Sequence, residues 1–329
     1  MVLMGCETTV EIDVPRYPAQ LTVNSLFTPD SVWTVALSQN RYILDNDRFK
    51  GLPEAAVEVW QEGQLVTTLE YQGDNPFRRN SIYRATDVYP KANIPYTLQV
   101  THPDYATLVA SSQVPDAPQI VSASLDVQDV RQEGFFSSNE IAYGLTFRLD
   151  DLPEENFYSI SLLLRWEGFG AIDIDGSSKI LLEENVSFIN IRSDDPVIDN
   201  AFDNYRNELL FKDVSFNGQQ YQIKAYGVFD LGSLIYTRLF DEGVILNEEA
   251  YDREGNVIRE AGDTTGMSTL HLVLRNTTEE YYNYNFTRDL QASVENNPFA
   301  QPVQVFDNVE NGLGIFAGYN QQEQKITIR

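Results

Sequence analysis

Short segments in which apolar and polar residues alternate dominate the chain from residue 20 onward. In Tyr96-Thr-Leu-Gln-Val-Thr101, for example, the apolar residues fall on one side and the polar residues on the other. This period of two is typical of a β-strand with one buried face. Seven such segments are predicted to be strands: 20–27, 32–38, 56–61, 65–71, 81–85, 95–101 and 106–114. Their number and short spacing predict a β-sandwich of the immunoglobulin type.

A proline-containing segment follows the seventh predicted strand. Gln113-Val-Pro-Asp-Ala-Pro-Gln119 has two prolines, which disfavour helix and predict an extended linker. We therefore predict an N-terminal segment over 1–18, the β-sandwich over 19–115 and a second all-β domain over 119–329. Segments 51–60 and 96–100 resemble the small immunoglobulin-like modules related to transthyretin and to carboxypeptidase regulatory domains. This likeness concerns the fold and assigns no function.

The second predicted domain combines strands with one helix. Its predicted strands are 120–127, 140–149, 156–167, 179–183, 221–228, 268–275 and 303–305. Apolar residues at spacings of three and four predict an amphipathic helix over 278–292, which Thr277 or Thr278 can cap. Segment 194–205 is open between a loop and a short helix. We expect a larger, irregular β-sandwich or barrel-like domain with this one short helix.

The charge balance excludes some classes of partner. The chain has 23 Lys and Arg against 49 Asp and Glu, a formal net charge of −26. So strong a negative charge opposes binding to nucleic acid and to anionic lipid surfaces. Solubility is the simpler interpretation of this acidity, and cation binding is the alternative.

The single cysteine lies near the start of the chain. Met1-Val-Leu-Met-Gly-Cys6 resembles the end of a bacterial lipoprotein signal, in which a small residue precedes the cysteine that is lipidated. One cysteine in 329 residues excludes an internal disulfide framework. We therefore predict that Cys6 is the lipidation site, with residues 1–18 as signal remnant and tether; the alternative is a free cysteine. Because no stretch of the sequence is apolar enough for a spanning helix, a lipid anchor is the only predicted membrane attachment.

Residue patterns that carry catalysis are sparse. The chain has two histidines, His102 and His271, and neither a His-Glu-x-x-His nor a Cys-x-x-Cys motif. We therefore expect no enzymatic activity and no cofactor; a glycan hydrolase is the remaining catalytic alternative. Asp195, Asp199 and Asp203 are weak calcium candidates, because a helix over them would place three carboxylates on one face. Solvated loop acids are the simpler interpretation.

The segment 297–319 carries the most particular sequence of the chain. It contains Asn297-Pro-Phe299, then Pro302-Val303, then Asn311-Gly-Leu-Gly-Ile-Phe316. This series resembles the closing segment of the domain-of-unknown-function 4249 family, lipoproteins of Bacteroidota outer membranes. The segments Phe211-Lys-Asp213 and Phe216-Asn-Gly218 add to the resemblance. It spans nearly the whole chain.

Two interpretations of this signature are open. Glycine adopts positive φ or admits a close backbone, so the segment can close the second domain by packing. The alternative is a partner-contact loop, whose candidate residues are Asn297, Pro298, Phe299, Asn311, Gly312, Gly314 and Phe316.

The resemblance also implies a setting and a class of function. Relatives are often encoded beside TonB-dependent outer-membrane receptors. It therefore implies an outer-membrane lipoprotein, on the surface or on the periplasmic face, that acts as an accessory or ligand-capture subunit of such a receptor. The alternative is a structural or assembly factor of the outer membrane, with another envelope protein as partner.

Overall fold

The computed structural model describes residues 18–42, 49–133, 138–199, 206–232, 244–265, 268–295 and 299–326. Almost all regular structure in these ranges is β, as the sequence predicts, and the sheets do not close into a barrel. The first seven strands are β1 Leu21–Phe27, β2 Thr34–Gln39, β3 Ala56–Gln61, β4 Gln64–Asn75, β5 Asn80–Arg84, β6 Pro95–His102 and β7 Tyr105–Gln113. All seven predicted strands of this region are confirmed, and β3 has the predicted bounds.

The second half begins with long strands and ends with a helix and a long final strand. Its elements are β8 Gln119–Glu133, β9 Ser138–Asp150, β10 Phe157–Ile174, β11 Ser177–Ile189, β12 Leu209–Lys212, β13 Gln220–Gly232, β14 Val244–Ile245, β15 Ala250–Tyr251, β16 Val257–Arg259, β17 Thr264–Thr265, β18 Ser268–Thr277, α1 Glu279–Val294, β19 Val309–Glu310 and β20 Leu313–Ile326. The predicted strand at 303–305 is wrong, because these residues form no strand.

The first seven strands fold over one apolar core. Strands β1, β2 and β5 form one side, and β3, β6 and β7 form the other. Strand β4 belongs to both sides, since residues 64–69 pair with β3 and residues 70–75 with β5. Alternate residues such as Val57 and Val59 on β3 and Leu98 and Val100 on β6 are fully buried. The alternating pattern of the sequence therefore reports the buried faces of a sandwich.

A second core lies between two sheets of the second half. Strands β8, β9 and β13 form a three-stranded antiparallel sheet. Strand β10 pairs with β11, β12 and β18, and β18 pairs with β20. Phe147 of β9, Ile160 and Leu162 of β10 and Leu272 of β18 are fully buried together in this core.

Strand β20 connects the two halves. Its first part pairs in parallel with β1, from Leu313 opposite Thr22 to Gly318 opposite Phe27. Its second part pairs antiparallel with β18, as far as Ile326 opposite Leu270. Segment 297–319 therefore does more than close the second half. The residues of the first core precede residues 115–119 in the sequence, and those of the second core follow them. Val309 and Phe316 are exceptions, because they pack in the first core. The division into domains at that linker stays a prediction.

Helix α1 confirms the helix that the sequence predicts. Thr278 caps it, because its side chain accepts a hydrogen bond from the Tyr281 backbone N–H at 3.4 Å. The helix packs on β20, where Tyr281 lies in an apolar cluster with Ile315 and Ala317. In the described part of 194–205, residues 194–199 contain no helix.

Candidate functional site

The main sheet of the second half has one apolar face and one polar face. On β10, Ile160 and Leu162 point into the core, so the alternate residues Ser159 and Ser161 lie on the opposite face. Ser159 is opposite Arg275 of β18 in the strand register. Residues directly opposite in an antiparallel pair share a face. We call this polar side the outer face of the sheet.

A cleft of about 510 Å³ opens between the outer face and helix α1. Strands contribute Ser161, Phe188, Arg275 and Tyr319 to its walls. The helix contributes Tyr281, Asn285, Arg288 and Asp289, and the segment 206–208 lies beside them. The cleft thus combines aromatic rings, amides and charges of both signs, and it is more polar than the mostly apolar lining of most small-molecule sites.

An ion pair and a tyrosine form a mostly buried polar group in the cleft. Arg275 Nη1 lies 3.0 Å from Glu208 Oε1, and the hydroxyl of Tyr281 donates to the same oxygen at 2.8 Å. Arg275 Nε donates to Gln321 Oε1 at 3.3 Å, and its guanidinium lies 5.2 Å from the ring centre of Tyr319. Both charged side chains are mostly buried, with 16% and 19% of their surface exposed.

Burial and neighbouring charge set the protonation of this group. Burial lowers the pKa of the Arg275 guanidinium, but the neighbouring acidic groups, of which the Glu208 carboxylate is the one ionised at physiological pH, outweigh it and the net pKa is raised. Burial also raises the pKa of the Tyr281 hydroxyl, and the charge of Glu208 raises it further. Arg275 is therefore a permanent cation, and Tyr281 is a neutral hydrogen-bond donor at physiological pH.

Two buried hydroxyls on β10 lack a hydrogen-bond partner within the ranges that the structure describes. Ser159 and Ser161 are fully buried, and neither Oγ has a partner among the described residues. An unsatisfied buried polar group costs about 1–3 kcal/mol. Only Ser161 lines the cleft. A polar atom that reached this hydroxyl from the cleft would satisfy it.

A second ionic group lies further along the outer face. Arg165 makes two hydrogen bonds to the carboxylate of Glu323, at 2.8 and 2.9 Å. His271 Nδ1 lies 2.8 Å from the same carboxylate. The bonds from Arg165 lower the pKa of Glu323. His271 is thus held in place by this ion-pair network. That the protein has no enzymatic activity stays a prediction.

The signature residues are placed mainly by packing. Gly314 has φ +111°, and a Cβ there would lie 1.9 Å from the carbonyl oxygen of Val23. A Cβ at Gly312 would lie 2.6 Å from Leu108 Cδ1. Phe316 is fully buried, with its ring centre 4.5 Å from that of Phe27. The packing interpretation accounts for these three residues, and Phe316 offers no exposed ring to a partner.

The other predicted contact residues are more exposed or lie outside the described residues. Asn311 is exposed, and its Nδ2 donates to the carbonyl of Thr107 at 3.2 Å. Phe299 is 94% exposed. Asn297, Pro298 and the lipidation candidate Cys6 lie outside the described residues. A contact role for Asn311 and Phe299 stays a prediction.

The calcium candidates Asp195 and Asp199 do not lie on a helix in the described part of segment 194–205. Asp195 accepts hydrogen bonds from the Tyr221 hydroxyl at 3.0 Å and from the Val197 backbone at 3.2 Å. Asp199 accepts from the hydroxyl of Tyr282, and Asp203 lies outside the described residues. Within the described ranges, no three metal-ligating side chains cluster. The helical premise is wrong for residues 194–199, and calcium binding is untested.

The segments 211–213 and 216–218, which add to the family resemblance, have structural contacts. Asp213 Oδ2 accepts hydrogen bonds from the backbone and the side chain of Asn156, at 2.9 and 3.2 Å. Gly218 N donates to Asp151 Oδ2 at 2.6 Å, and Phe211 stacks on Tyr158 with ring centres 5.2 Å apart. These contacts hold the turn after β12 against the start of β10.

The cleft residues were not predicted from the sequence. Arg275 lies at the end of a correctly predicted strand, but Glu208 is 67 positions away, so their pairing depends on the tertiary fold. A usable signal is the serine alternation in Tyr158-Ser-Ile-Ser-Leu162. Small hydroxyl residues between core residues indicate a covered outer face, and here α1 covers it.

Comparison with known proteins gives a family. The sequence model of the family described as "Domain of unknown function (DUF4249)" matches residues 7–325. The chain belongs to this family. No curated protein matches the chain. In the part of this DUF4249 member that the structure describes, no helix is long and apolar enough to cross a membrane.

Two solved structures align weakly with this DUF4249 member. One is a tetra-tandem repeat in the extending region of a large adhesion protein, with 10% identity and a TM-score of 0.20 over 94% of this chain and 74% of that chain. The other is the B domain of a biofilm-associated protein, with 7% identity and a TM-score of 0.16 over 93% and 85% of the two chains. Scores this low carry no argument about fold or function.

Proposed function

We propose that the protein is a ligand-capture protein of the cell envelope and an accessory subunit of a TonB-dependent outer-membrane receptor. The observation that carries the proposal is the cleft under α1, in which Arg275, Glu208 and Tyr281 form a mostly buried polar group. Buried charges are costly unless they are paired, and replacement of such pairs by apolar residues is often stabilising. Their presence at a cleft is therefore more simply explained by recognition than by stability.

The joint between the two halves supports this proposal. One wall of the cleft includes Leu26 of β1, and another includes Arg275 of β18. Strand β20 pairs with both of these strands. Because backbone hydrogen bonds connect the walls, the cleft is held in one shape, and preorganisation of this kind lowers the cost of binding.

The envelope setting rests on Cys6 and on the family. A lipid on Cys6 would hold the domain at the membrane without a spanning helix, since each buried methylene contributes about 0.8 kcal/mol. The net charge of −26 opposes direct adsorption to an anionic bilayer. A receptor partner then gives the captured ligand a route across the outer membrane.

The test is purification of the full-length, lipidated protein from its native outer membrane in mild detergent, with the co-purifying chains identified by mass spectrometry. We expect one TonB-dependent receptor in stoichiometric amount. Cys6→Ala is the control, because it removes the predicted lipidation site. Recovery of several assembly or secretion components, without a receptor, would favour the assembly role and overturn this proposal.

A further inference from the structure

We propose that the cleft under α1 binds a small organic anion whose carboxylate is received by Arg275 and whose neighbouring polar atom bonds Ser161. The inference rests on the proposed ligand-capture function and names the class of ligand. It concerns the site itself, so it can fail or hold independently of the identity of any receptor.

The charge of the cleft points to an anion. Acidic residues outnumber basic residues by 49 to 23 in the whole chain. Among the described residues that line the cleft the order is reversed, with Arg206, Arg275 and Arg288 against Glu208 and Asp289. A local excess of guanidinium groups in so acidic a protein attracts an anion of low charge, while the surrounding acids repel a polyanion.

The geometry of Arg275 favours a carboxylate. Its Nε donates to Gln321 and its Nη1 to Glu208, so within the described residues Nη2 is left to donate to a ligand. A hydrogen bond from a guanidinium nitrogen to a carboxylate oxygen is charge-assisted and stronger than one between neutral groups. Arg288, with 51% of its side chain exposed, lies at the solvent side and can approach the same ligand.

Ser161 is the second, independent observation. Its hydroxyl is fully buried, lines the cleft and has no hydrogen-bond partner among the described residues. A ligand oxygen or N–H at this position would satisfy it. The ligand therefore carries a polar group close to its carboxylate, and a simple aliphatic acid would leave the serine unsatisfied.

The remaining lining sets the size and the character of the ligand. A volume of about 510 Å³ lies within the usual range of small-molecule sites. Phe188, which is 53% exposed, and Tyr319 offer aromatic surface, and Asn190 and Asn285 offer amides. An acidic sugar and the C-terminal carboxylate of a short peptide both have this chemistry, and the test separates these two sources.

The experiment is calorimetric titration of the purified chain with two pairs of probes. The first pair is digalacturonate and its neutral counterpart digalactose, and the second is acetyl-alanyl-alanine and its C-terminal amide. We expect saturable binding of one carboxylate probe and at least about tenfold weaker binding of its neutral partner, because Arg275 recognises charge. Equal binding within each pair, or no binding of either acid at millimolar concentration, would overturn the proposal.

Ser161→Ala and Ser159→Ala form the matched pair of variants. Both remove a buried hydroxyl without a partner from the same strand and face, so neither is expected to lower the melting temperature. Only Ser161→Ala is expected to weaken the bound carboxylate probe, by about five- to tenfold, which corresponds to one hydrogen bond. An equal effect of the two variants, or no effect of Ser161→Ala, would contradict the assigned contact.

The receptor purification distinguishes the two proposals. If the probes fail while one receptor co-purifies, the accessory role stands and the ligand class is wrong. If a carboxylate binds while no receptor co-purifies, the ligand class stands and the receptor partnership is wrong.

Discussion

The first part of β20 and the cleft under α1 lie next to each other and differ in almost every physical property. Residues 313–318 pair with β1, and Gly314 leaves no room for a Cβ beside Val23. The cleft, a few residues further along the same strand, has an open volume, paired charges and a serine hydroxyl that has no hydrogen-bond partner in the described part of the chain. The recognisable sequence motif thus lies in the packed region. The candidate site is formed by residues that belong to no recognisable motif.

This difference separates two reasons for a particular sequence. Where β20 packs closely against β1, only a few residue types fit. This segment therefore has a recognisable sequence motif. A binding cleft uses polar side chains that occur in many strands. Its specificity comes from the tertiary fold, which brings these side chains together. The following predictions test that separation, from the largest expected effect to the smallest.

Gly314→Val is expected to be the most destabilising change. It combines a positive φ with a Cβ 1.9 Å from the Val23 carbonyl oxygen, so the β1–β20 pairing must break. We expect a loss of at least about 4 kcal/mol in the free energy of unfolding, measured by urea denaturation.

Two glycine variants separate the causes of this loss. Gly318→Ala places a Cβ 2.0 Å from the Gln113 carbonyl without a positive φ, and Gly63→Ala has φ +79° with nothing within 4 Å. We expect a large loss for the first and about 1 kcal/mol for the second. A larger loss for Gly63→Ala than for Gly318→Ala would refute the steric account.

Phe316→Ala is expected to cost about 3–5 kcal/mol, because it empties a fully buried ring position beside Phe27 and Trp33. Chemical denaturation measures the loss. Where the variant remains folded, its affinity for the carboxylate probe should be unchanged. A variant that keeps its stability but loses the probe would give Phe316 a direct binding role and break the comparison.

Glu208→Gln tests whether charge in the cleft serves binding. Removal of the partner of Arg275 leaves a mostly buried cation, and we expect stability to fall by about 1–3 kcal/mol. The same change should strengthen binding of the carboxylate probe several-fold in calorimetry, because Arg275 loses its competing anion.

Glu167→Gln is the control for that variant, since Glu167 pairs with Arg259 at 2.8 Å outside the cleft. It should cost less than about 1 kcal/mol and leave the probe affinity unchanged. Weaker carboxylate binding by Glu208→Gln would show that Glu208 contacts the ligand, contrary to our assignment.

His271→Gln should give the smallest effect, and one that depends on pH. Burial lowers the pKa of His271, and Arg165 and Lys325 lower it further, although the charge of Glu323 raises it. The unfolded chain therefore takes up this proton first, and wild-type stability falls as the pH drops below the unfolded value of about 6.5. The variant should lose that component of the pH profile, measured by thermal unfolding from pH 8 to 5. A profile identical to wild type would show that His271 does not contribute.

Local pattern predicts the sandwich strands well and the long hairpin poorly. In β3 and β6 alternate residues are buried, and the residues at the strand ends are not. The alternating sequence pattern therefore indicates where each strand begins and ends. Strand β10 extends to Ile174 and β11 begins at Ser177, both beyond the predicted bounds. The sequence did not predict these extensions because their glycines and acidic residues resemble loop residues. Pairing within the hairpin satisfies their backbone groups, and a small apolar cluster of Leu182, Leu246 and Ala250 packs on its outer part.

Long-range pairing explains what the sequence did not predict. The second part of β20, Asn320-Gln-Gln-Glu-Gln324, has no apolar alternation, yet β18 pairs with it residue by residue. The parallel pairing of β1 with β20 joins residues almost 300 positions apart. The candidate site depends on this pairing, since it places Tyr319 beside Arg275.

The most direct test of the central claim is an amide NMR titration of the isotope-labelled protein with the carboxylate probe that binds. We predict that the resonances of Ser161, Arg275 and Tyr319 shift together and saturate at one equivalent, while those of Asn311 and Gly312 do not move. Shifts confined to Asn311 and Gly312, with the cleft resonances unchanged, would contradict the account and return the binding role to the signature segment.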